Sequence, residues 1–412
     1  MPSHVVVGGG VNGLSVASRL AERGADVVVL DKGRVGGGAS GLAGGIVRNY
    51  YRAEAITEVV RMSVDIFESE PDAYGFRQVG YLAAVPERQV EDLVAIRAQH
   101  ERGGYESELV VGSERCREYL TWTWPDWDAP VAAILHERRG GWADAAQTVR
   151  RLADLALGAG VEIREGIEVT GFDDGVVTTE GRIPCETIVV APGPWIAGVW
   201  RMLGLDPDVE IDGEMRPLVS YLKAQEGEFE LRGVGLSSAG ADPPVVHLDQ
   251  SEPLCSDRDG RVLVDGAWGI YFRIGRTGAI TGGGLPILLD DPELDPYGWS
   301  NPAHVAEPAF AEFFTSGLAA ALPRFRGRGD WRVTANGGIV PHTPDNYPVC
   351  DWVRDNVYAI VDSGHGFKTL AIGRLVADDI LDGGEPILDA FRLSRFAQGA
   401  LHTASKGPYP WT

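Results

Sequence analysis

Three glycines in the pattern Gly8-x-Gly10-x-x-Gly13, with Asp31 eighteen residues beyond the last, have the types and spacing that holding a dinucleotide requires. Gly8 permits a tight turn, Gly10 lets the backbone approach a pyrophosphate, and Gly13 lets a helix pack closely on a strand. Val11 and Asn12 stand at the start of that helix, where free N–H groups and the positive end of the helix dipole attract phosphate. Asp31 can accept hydrogen bonds from an adenosine ribose.

These residues work only if a strand precedes them and a helix and second strand follow. Residues 4–7 are an apolar strand, residues 14–24 an amphipathic helix, and residues 25–30 a second apolar strand ending at Asp31. Further on, residues 54–68 and 87–100 read as helices and residues 78–85 as a strand ended by Pro86. Residues 121–127, with three tryptophans, read as an aromatic loop covering something, a lid or a partner surface. A helix over residues 143–157 puts Val149, Leu152, Leu155 and Ala156 on one face. Strands at residues 161–163, 168–172 and 176–179 read as a meander, and Val169 lies within it. Residues 188–191 read as a buried strand that returns to the nucleotide sheet before Pro192-Gly193-Pro194-Trp195. Strands alternate over residues 216–285. A helix at 307–322, strands at 332–340 and 357–362, and a helix at 366–381 follow, and residues 404–412 read as a surface tail. The economical architecture is α/β: a Rossmann-like nucleotide lobe (residues 1–82, 143–215 and 331–412) interrupted twice by a β-rich mixed lobe (residues 83–142 and 216–330), with ligands in the crevice between them.

Bulk properties narrow the classes. A chain of 412 residues with 44% hydrophobic and 23% charged residues is that of a soluble two-lobed protein, with no apolar run long enough for a membrane helix. No basic segment precedes the strand at residue 4, so no secretory leader is expected. Cys116, Cys185, Cys255 and Cys350 are scattered and form no Cys-x-x-Cys pair, which argues against zinc or a disulfide framework and for a reducing cytoplasm. A formal charge of −22 repels nucleic acid and anionic membranes. An anionic substrate therefore needs local cations, and only four lysines are available: Lys32, Lys223, Lys368 and Lys406.

Several strings together resemble a known family. They are Val29-Leu30-Asp31-Lys32-Gly33, the glycine-rich stretch from Gly36 to Gly45 with Arg48 after it, residues 188–195, Gly269-Ile270-Tyr271-Phe272-Arg273, Thr343-Pro344-Asp345, and Ser363-Gly364-His365-Gly366-Phe367-Lys368. In this order and spacing they resemble the D-amino-acid oxidase superfamily of FAD-dependent oxidoreductases, nearest the sarcosine oxidase and glycine oxidase branch. The resemblance implies a glutathione-reductase-type FAD lobe. It assigns Asp31, Lys32, Ala39, Ser40, Gly44, Gly45, Val169, Ala191, Gly193, Trp195 and Gly338 to the cofactor. Gly364, His365, Gly366, Phe367 and Lys368 would present a helix N-terminus to the flavin's pyrimidine end.

The same resemblance implies that Lys368 and an arginine, either Arg48 or Arg52, clamp a substrate carboxylate. Tyr50, Tyr51, Tyr271, Arg273 and His342 are further candidates for the substrate pocket, and Asp345 is read as fixing a turn. Two departures stand out. Gly338 occupies the place of the flavin-tethering cysteine of monomeric sarcosine oxidases, so FAD is expected to be held non-covalently. Residues 268–285 contain Arg273 and Arg276 but not the lysine those oxidases use towards oxygen, which leaves oxygen or another molecule as electron acceptor. The implied reaction is oxidation of the C–N bond of a small amino acid or N-alkyl amino acid to an imine. The alternatives are a 2-hydroxy-acid dehydrogenase, for which His247, His342 or His365 would be the base, and a flavin-holding subunit whose partner does the chemistry.

Overall fold

The computed structural model describes residues 2–236 and 242–409. One sheet has six strands in the order Val349–Arg354, Val357–Val361, Thr187–Val190, His4–Val7, Val27–Asp31, Glu162–Glu165. All are parallel except Val349–Arg354. His4–Val7 is buried along its whole length, as a central parallel strand covered on both faces must be. Helices Val11–Glu22, Ala145–Gly158 and Ile372–Asp382 cover one face through Leu14, Val149, Leu152 and Leu375. The meander Val169–Asp173, Gly175–Thr178, Gly181–Pro184 and the helix Ile196–Met202 cover the other through Val176, Ile196 and Trp200.

The strand expected at residues 161–163 is not part of that meander. As Glu162–Glu165 it pairs parallel with Val27–Asp31, because helix Ala145–Gly158 carries the chain back to the sheet edge as a crossover. The regular helix expected from Gly366 begins at Ile372; residues 366–371 are turns in which the Lys368 and Thr369 N–H groups donate to His365 O at 2.7 and 3.0 Å.

The second sheet has eight strands in the order Arg332–His342, Ser220–Glu230, Ile280–Leu289, Trp268–Ile274, Val245–Gln250, Tyr81–Val85, Ala133–Glu137, Ser107–Val111. Only the pairing of Val245–Gln250 with Tyr81–Val85 is parallel. Arg332–His342 thus belongs to this sheet, and the chain re-enters the six-stranded sheet at Val349 rather than at residue 331. Helix Pro308–Ala321 packs Phe310, Phe313, Phe314 and Leu318 into the core behind the sheet.

Trp124 and Trp127 lie in that same core, which corrects the reading of residues 121–127 as a covering loop. Residues 121–123 end the helix Ser113–Thr123, and of the three tryptophans only Trp122 is exposed. The C-terminal stretch is not a loose surface tail either. Residues 402–409 are bonded to both lobes; the remainder of that stretch, residues 410–412, lies outside the described residues.

Candidate active site

A cavity of about 1250 Å³ runs between the two sheets and is lined from both. It exceeds the roughly 300–1,000 Å³ of pockets for drug-sized ligands, as an extended dinucleotide with a substrate beside it requires. At one end the walls are backbone. Gly8 has φ +110°, and a Cβ there would stand 2.3 Å from Ala191 O. A Cβ on Gly13 would stand 2.0 Å from Gly8 O, so this glycine packs helix on strand and is not itself in the cavity wall. Val11 N donates to Ser40 Oγ at 3.1 Å, joining the two glycine-rich loops. Asn12 Oδ1 is buried at this wall without a hydrogen-bond partner.

Asp31 accepts from Gly9 N and Gly33 N, each at 2.8 Å. Burial nevertheless pushes its carboxyl above the ordinary value, with those two bonds opposing. Lys32 pairs with Asp295 at 2.6 Å and lies 4.3 Å from the centre of the Trp195 ring. Asp31, Lys32, Ala39, Ser40, Gly44, Gly45, Val169, Ala191, Gly193, Trp195, Gly338, Gly364, Gly366 and Phe367 all line the cavity, with Gly8, Gly10, Val11 and Asn12. His365 does not: it is buried behind the wall, its Nδ1 bonded to Ser363 O.

The other end is built from side chains. Arg48 and Lys368 both line it, Arg48 buried and Lys368 half-buried. Burial, reinforced by the charge of Arg48, pushes Lys368 down to about 7. No carboxylate lies within ion-pair distance of Lys368 among the described residues. Arg48 Nη1 donates to Tyr50 O at 3.2 Å, and its guanidinium lies 5.1–5.7 Å from the ring centres of Tyr50, Tyr51 and Tyr81. Arg52 is elsewhere, paired with the buried Asp92 and outside the cavity wall. Of the two arginines, Arg48 is the one the fold brings to Lys368.

Arg273 is also outside the wall. Its Nη2 donates to Gly44 O at 3.2 Å while its guanidinium lies 4.2 Å from the Trp142 ring centre, so it braces the glycine loop. Tyr51 packs on His365 with ring centres 5.2 Å apart and lies behind the wall. His342 does line the cavity, and burial pushes its pKa down to about 4, with Asn346 opposing.

Sequence reasoning named Tyr271 and His247 but missed the row they form across the eight-stranded sheet with Glu226. His247 stands opposite Tyr271, Tyr271 opposite Gly283, Gly283 opposite Glu226, and Glu226 opposite Asn336. Because Gly283 has no side chain, the Tyr271 ring lies across it, and a Cβ there would stand 2.8 Å from the tyrosine hydroxyl. That hydroxyl donates to Glu226 Oε2 at 2.6 Å. On the other side, His247 Nδ1 is 2.6 Å from Tyr81 OH and its Nε2 is 2.7 Å from the buried Asp249 Oδ1. The carboxylate assigns the proton to Nε2, so Nδ1 accepts from Tyr81. The alternation Val-His-Leu-Asp over residues 246–249 was the visible signal for that pair; nothing local marked Glu226 or Tyr81.

This arrangement defines a two-lobe flavoprotein: a backbone cradle for a dinucleotide beside a side-chain pocket with paired cations. The chain belongs to the family described as FAD dependent oxidoreductase (DAO), whose pattern matches residues 3–379. FAD is its cofactor, and the glycine cradle, the unpartnered Asn12 Oδ1 and the length of the cavity fit that group. Among curated proteins the chain is similar to 4-methylaminobutanoate oxidase (formaldehyde-forming) of Paenarthrobacter nicotinovorans, 25% identical over 59% of this chain and 32% of that one. It is also similar to glycine oxidase of Pseudomonas putida, 29% identical over 51% of this chain and 60% of that one. The chain thus spans about a third to three-fifths of these relatives. The solved structure of L-proline dehydrogenase from P. horikoshii superimposes with TM-score 0.79 at 23% identity, covering 97% of this chain and 99% of that one. Glycine oxidase from Geobacillus kaustophilus gives 0.71 at 18%, covering 96% and 97%. Among the described residues no cysteine lines the cavity, no helix is long and apolar enough to cross a membrane, and no group of three metal-ligating side chains occurs.

Proposed function

We propose that this protein oxidises the C–N bond of a small amino acid or N-alkyl amino acid, held by its carboxylate, to an imine that water then hydrolyses. The observation that carries this reading is the pair of cations, buried Arg48 and half-buried Lys368, facing the same cavity as the Tyr81–His247–Tyr271 wall. FAD supplies the hydride acceptor when bound.

The protein's own part is binding, orientation and proton handling. Arg48 and a protonated Lys368 hold the carboxylate by charge-assisted bonds, which fixes the neighbouring C–H bond in one place. Tyr271, pinned by Glu226, and Tyr81, pinned by His247, form a wall that excludes water. The amine must be neutral to react. Tyr81 is suited to take its proton at the hydroxyl oxygen while passing its own to His247 Nδ1, with Asp249 holding Nε2–H. Electrons then leave to oxygen or another acceptor.

A 2-hydroxy acid is the second reading, because a histidine backed by a buried aspartate is also what removal of a hydroxyl proton needs. The deciding experiment is anaerobic bleaching of the flavin absorbance by matched panels of amino acids, N-methyl amino acids and 2-hydroxy acids. Bleaching by the amines, at saturating concentration faster as pH rises from 6 to 9, is expected. Bleaching only by hydroxy acids selects the second reading. A yellow protein that neither panel reduces points to a flavin-holding subunit.

A further inference from the structure

We propose that the C-terminal segment 402–409 is a gate over the substrate end of the cavity, with Tyr409 as the residue that closes it. The proposal rests on the His247–Tyr271 row being the substrate end, as read above. Tyr409 and that row share a wall: Tyr409, His247, Tyr271, Gly283 and Gly284 surround a small void that adjoins the main cavity through His247, Tyr271 and Gly284. The Tyr409 hydroxyl accepts from Gly269 N and Leu285 N, each at 3.3 Å. Gly269 stands opposite Asp249, two residues along the strand pair from His247 and Tyr271 and so on the same face. Its missing side chain makes the seat: a Cβ there would meet Asp249 Oδ1 at 2.2 Å and Pro408 Cγ at 3.3 Å.

The rest of the segment is tied at two places. Its start is anchored on the FAD lobe, where His402 Nε2 bonds Ala390 O at 2.8 Å and Tyr347 OH donates to Thr403 O at 3.4 Å. Its middle is latched by Asp92, whose Oδ2 accepts from Lys406 N at 2.7 Å while Oδ1 pairs with Arg52. Arg52, one of the two arginines considered for the substrate carboxylate, therefore serves the latch. Lys406 Nζ adds an exposed ion pair to Glu91 at 2.9 Å.

The segment has no strand or regular helix, and Leu401, Thr403, Ala404 and Lys406 are exposed. Its release would leave the strand pairing of both sheets intact, the signature of an element that opens at low cost. Tyr81, Arg48 and His247 are 1%, 3% and 5% exposed.

The test uses the FAD-loaded protein and sulfite, a small anion that bleaches flavin by adding to N5 and needs neither an amine nor a carboxylate. Failure of the amino-acid reading therefore leaves this measurement intact. A gate limits entry and exit alike, so Tyr409→Gly is expected to raise both the association and the dissociation rate by about tenfold or more while the equilibrium Kd stays unchanged. Tyr409→Phe, which keeps the ring and loses only the hydroxyl bonds, should fall between. Flavin content per chain checks that each variant is folded. An unchanged association rate in Tyr409→Gly, a shifted Kd at constant association rate, or no bleaching in either protein overturns the gate.

Discussion

The two ends of the cavity are built by different means. At the glycine-rich end the wall is largely backbone: glycines at 8, 10, 44 and 45 bring the main chain to the cavity surface. At the substrate end the contacts are side chains supplied by strands far apart in sequence, aligned only by register: His247, Tyr271 and Glu226 across three strands, with Tyr81 on a fourth and Lys368 from the opposite lobe. A backbone site is written in a short local string and tolerates little change. A register-built site is adjustable one residue at a time, which suits the end where related enzymes must differ in substrate.

Breaking the cofactor end should have the largest effect. Gly13→Val drives a Cβ to 2.0 Å from Gly8 O, a backbone atom that cannot turn aside, and costs about 3 kcal/mol or more. The purified variant is expected to be colourless or insoluble, read as flavin absorbance per chain. Next is Lys368→Met, which removes one cation of the pair while Arg48 stays. Loss of a charge partner costs roughly 2–5 kcal/mol, so affinity for a simple carboxylate should fall about 30-fold or more, with flavin content unchanged.

The same site has a pH signature. Burial holds the Lys368 pKa down at about 7, and only its protonated form adds its charge to that of Arg48 in holding an anion. Carboxylate affinity should therefore be full below that pH and fall above it towards the level of Lys368→Met, a dependence absent from that variant.

Gly283→Ala sharpens the comparison, because here a glycine serves a side chain. Its Cβ would stand 2.5 Å from Gln225 O and 2.8 Å from Tyr271, displacing the ring from Glu226. A cost of roughly 1–3 kcal/mol is expected, seen as slower flavin reduction in a protein that still holds its FAD.

The smallest effect concerns Glu137, buried behind Arg48, with Oε2 accepting from Asn49 N at 2.6 Å and from Tyr105 OH at 3.1 Å. Burial raises its pKa from 4.5 to about 7. Between those values the folded protein keeps a proton that the unfolded chain has released, so stability falls as pH rises through that window. Glu137→Gln should match the parent near pH 4.5 and be more stable above pH 7, by on the order of 1–2 kcal/mol in denaturant titrations. The gain is less than full because the amide leaves Arg48 without that neighbouring charge.

The contrast between the two ends also explains what could be read from the chain alone. The glycine spacing, Asp31 and the buried strand at 188–191 follow from local patterns, and the fold turns them into adjacent parallel strands and a cradle. Lys368 and Arg48 were visible as scarce cations in an acidic chain, but the choice between Arg48 and Arg52 needed the structure, because four residues on one segment separate a cavity wall from a partner on helix Val90–Arg102. Glu226, Tyr81 and Asn336 carried no local signal. Their role depends on which strands pair and in which register, and a slip of one residue would turn each away. The tail read over 404–412 looked like solvent-facing chain, and in its described part the ties run through Lys406 N and the Tyr409 hydroxyl to partners far away in sequence, which composition does not reveal.

The central claim is that a carboxylate held by Arg48 and Lys368 aligns an amine for oxidation. Its most direct test compares anaerobic flavin reduction by an N-methyl amino acid and by its carboxamide, in the parent protein and in Lys368→Met. The account predicts rapid reduction by the acid in the parent protein. It predicts slow reduction by the amide, and a difference that largely disappears in the variant. Equal reduction by acid and amide in the parent protein would contradict it.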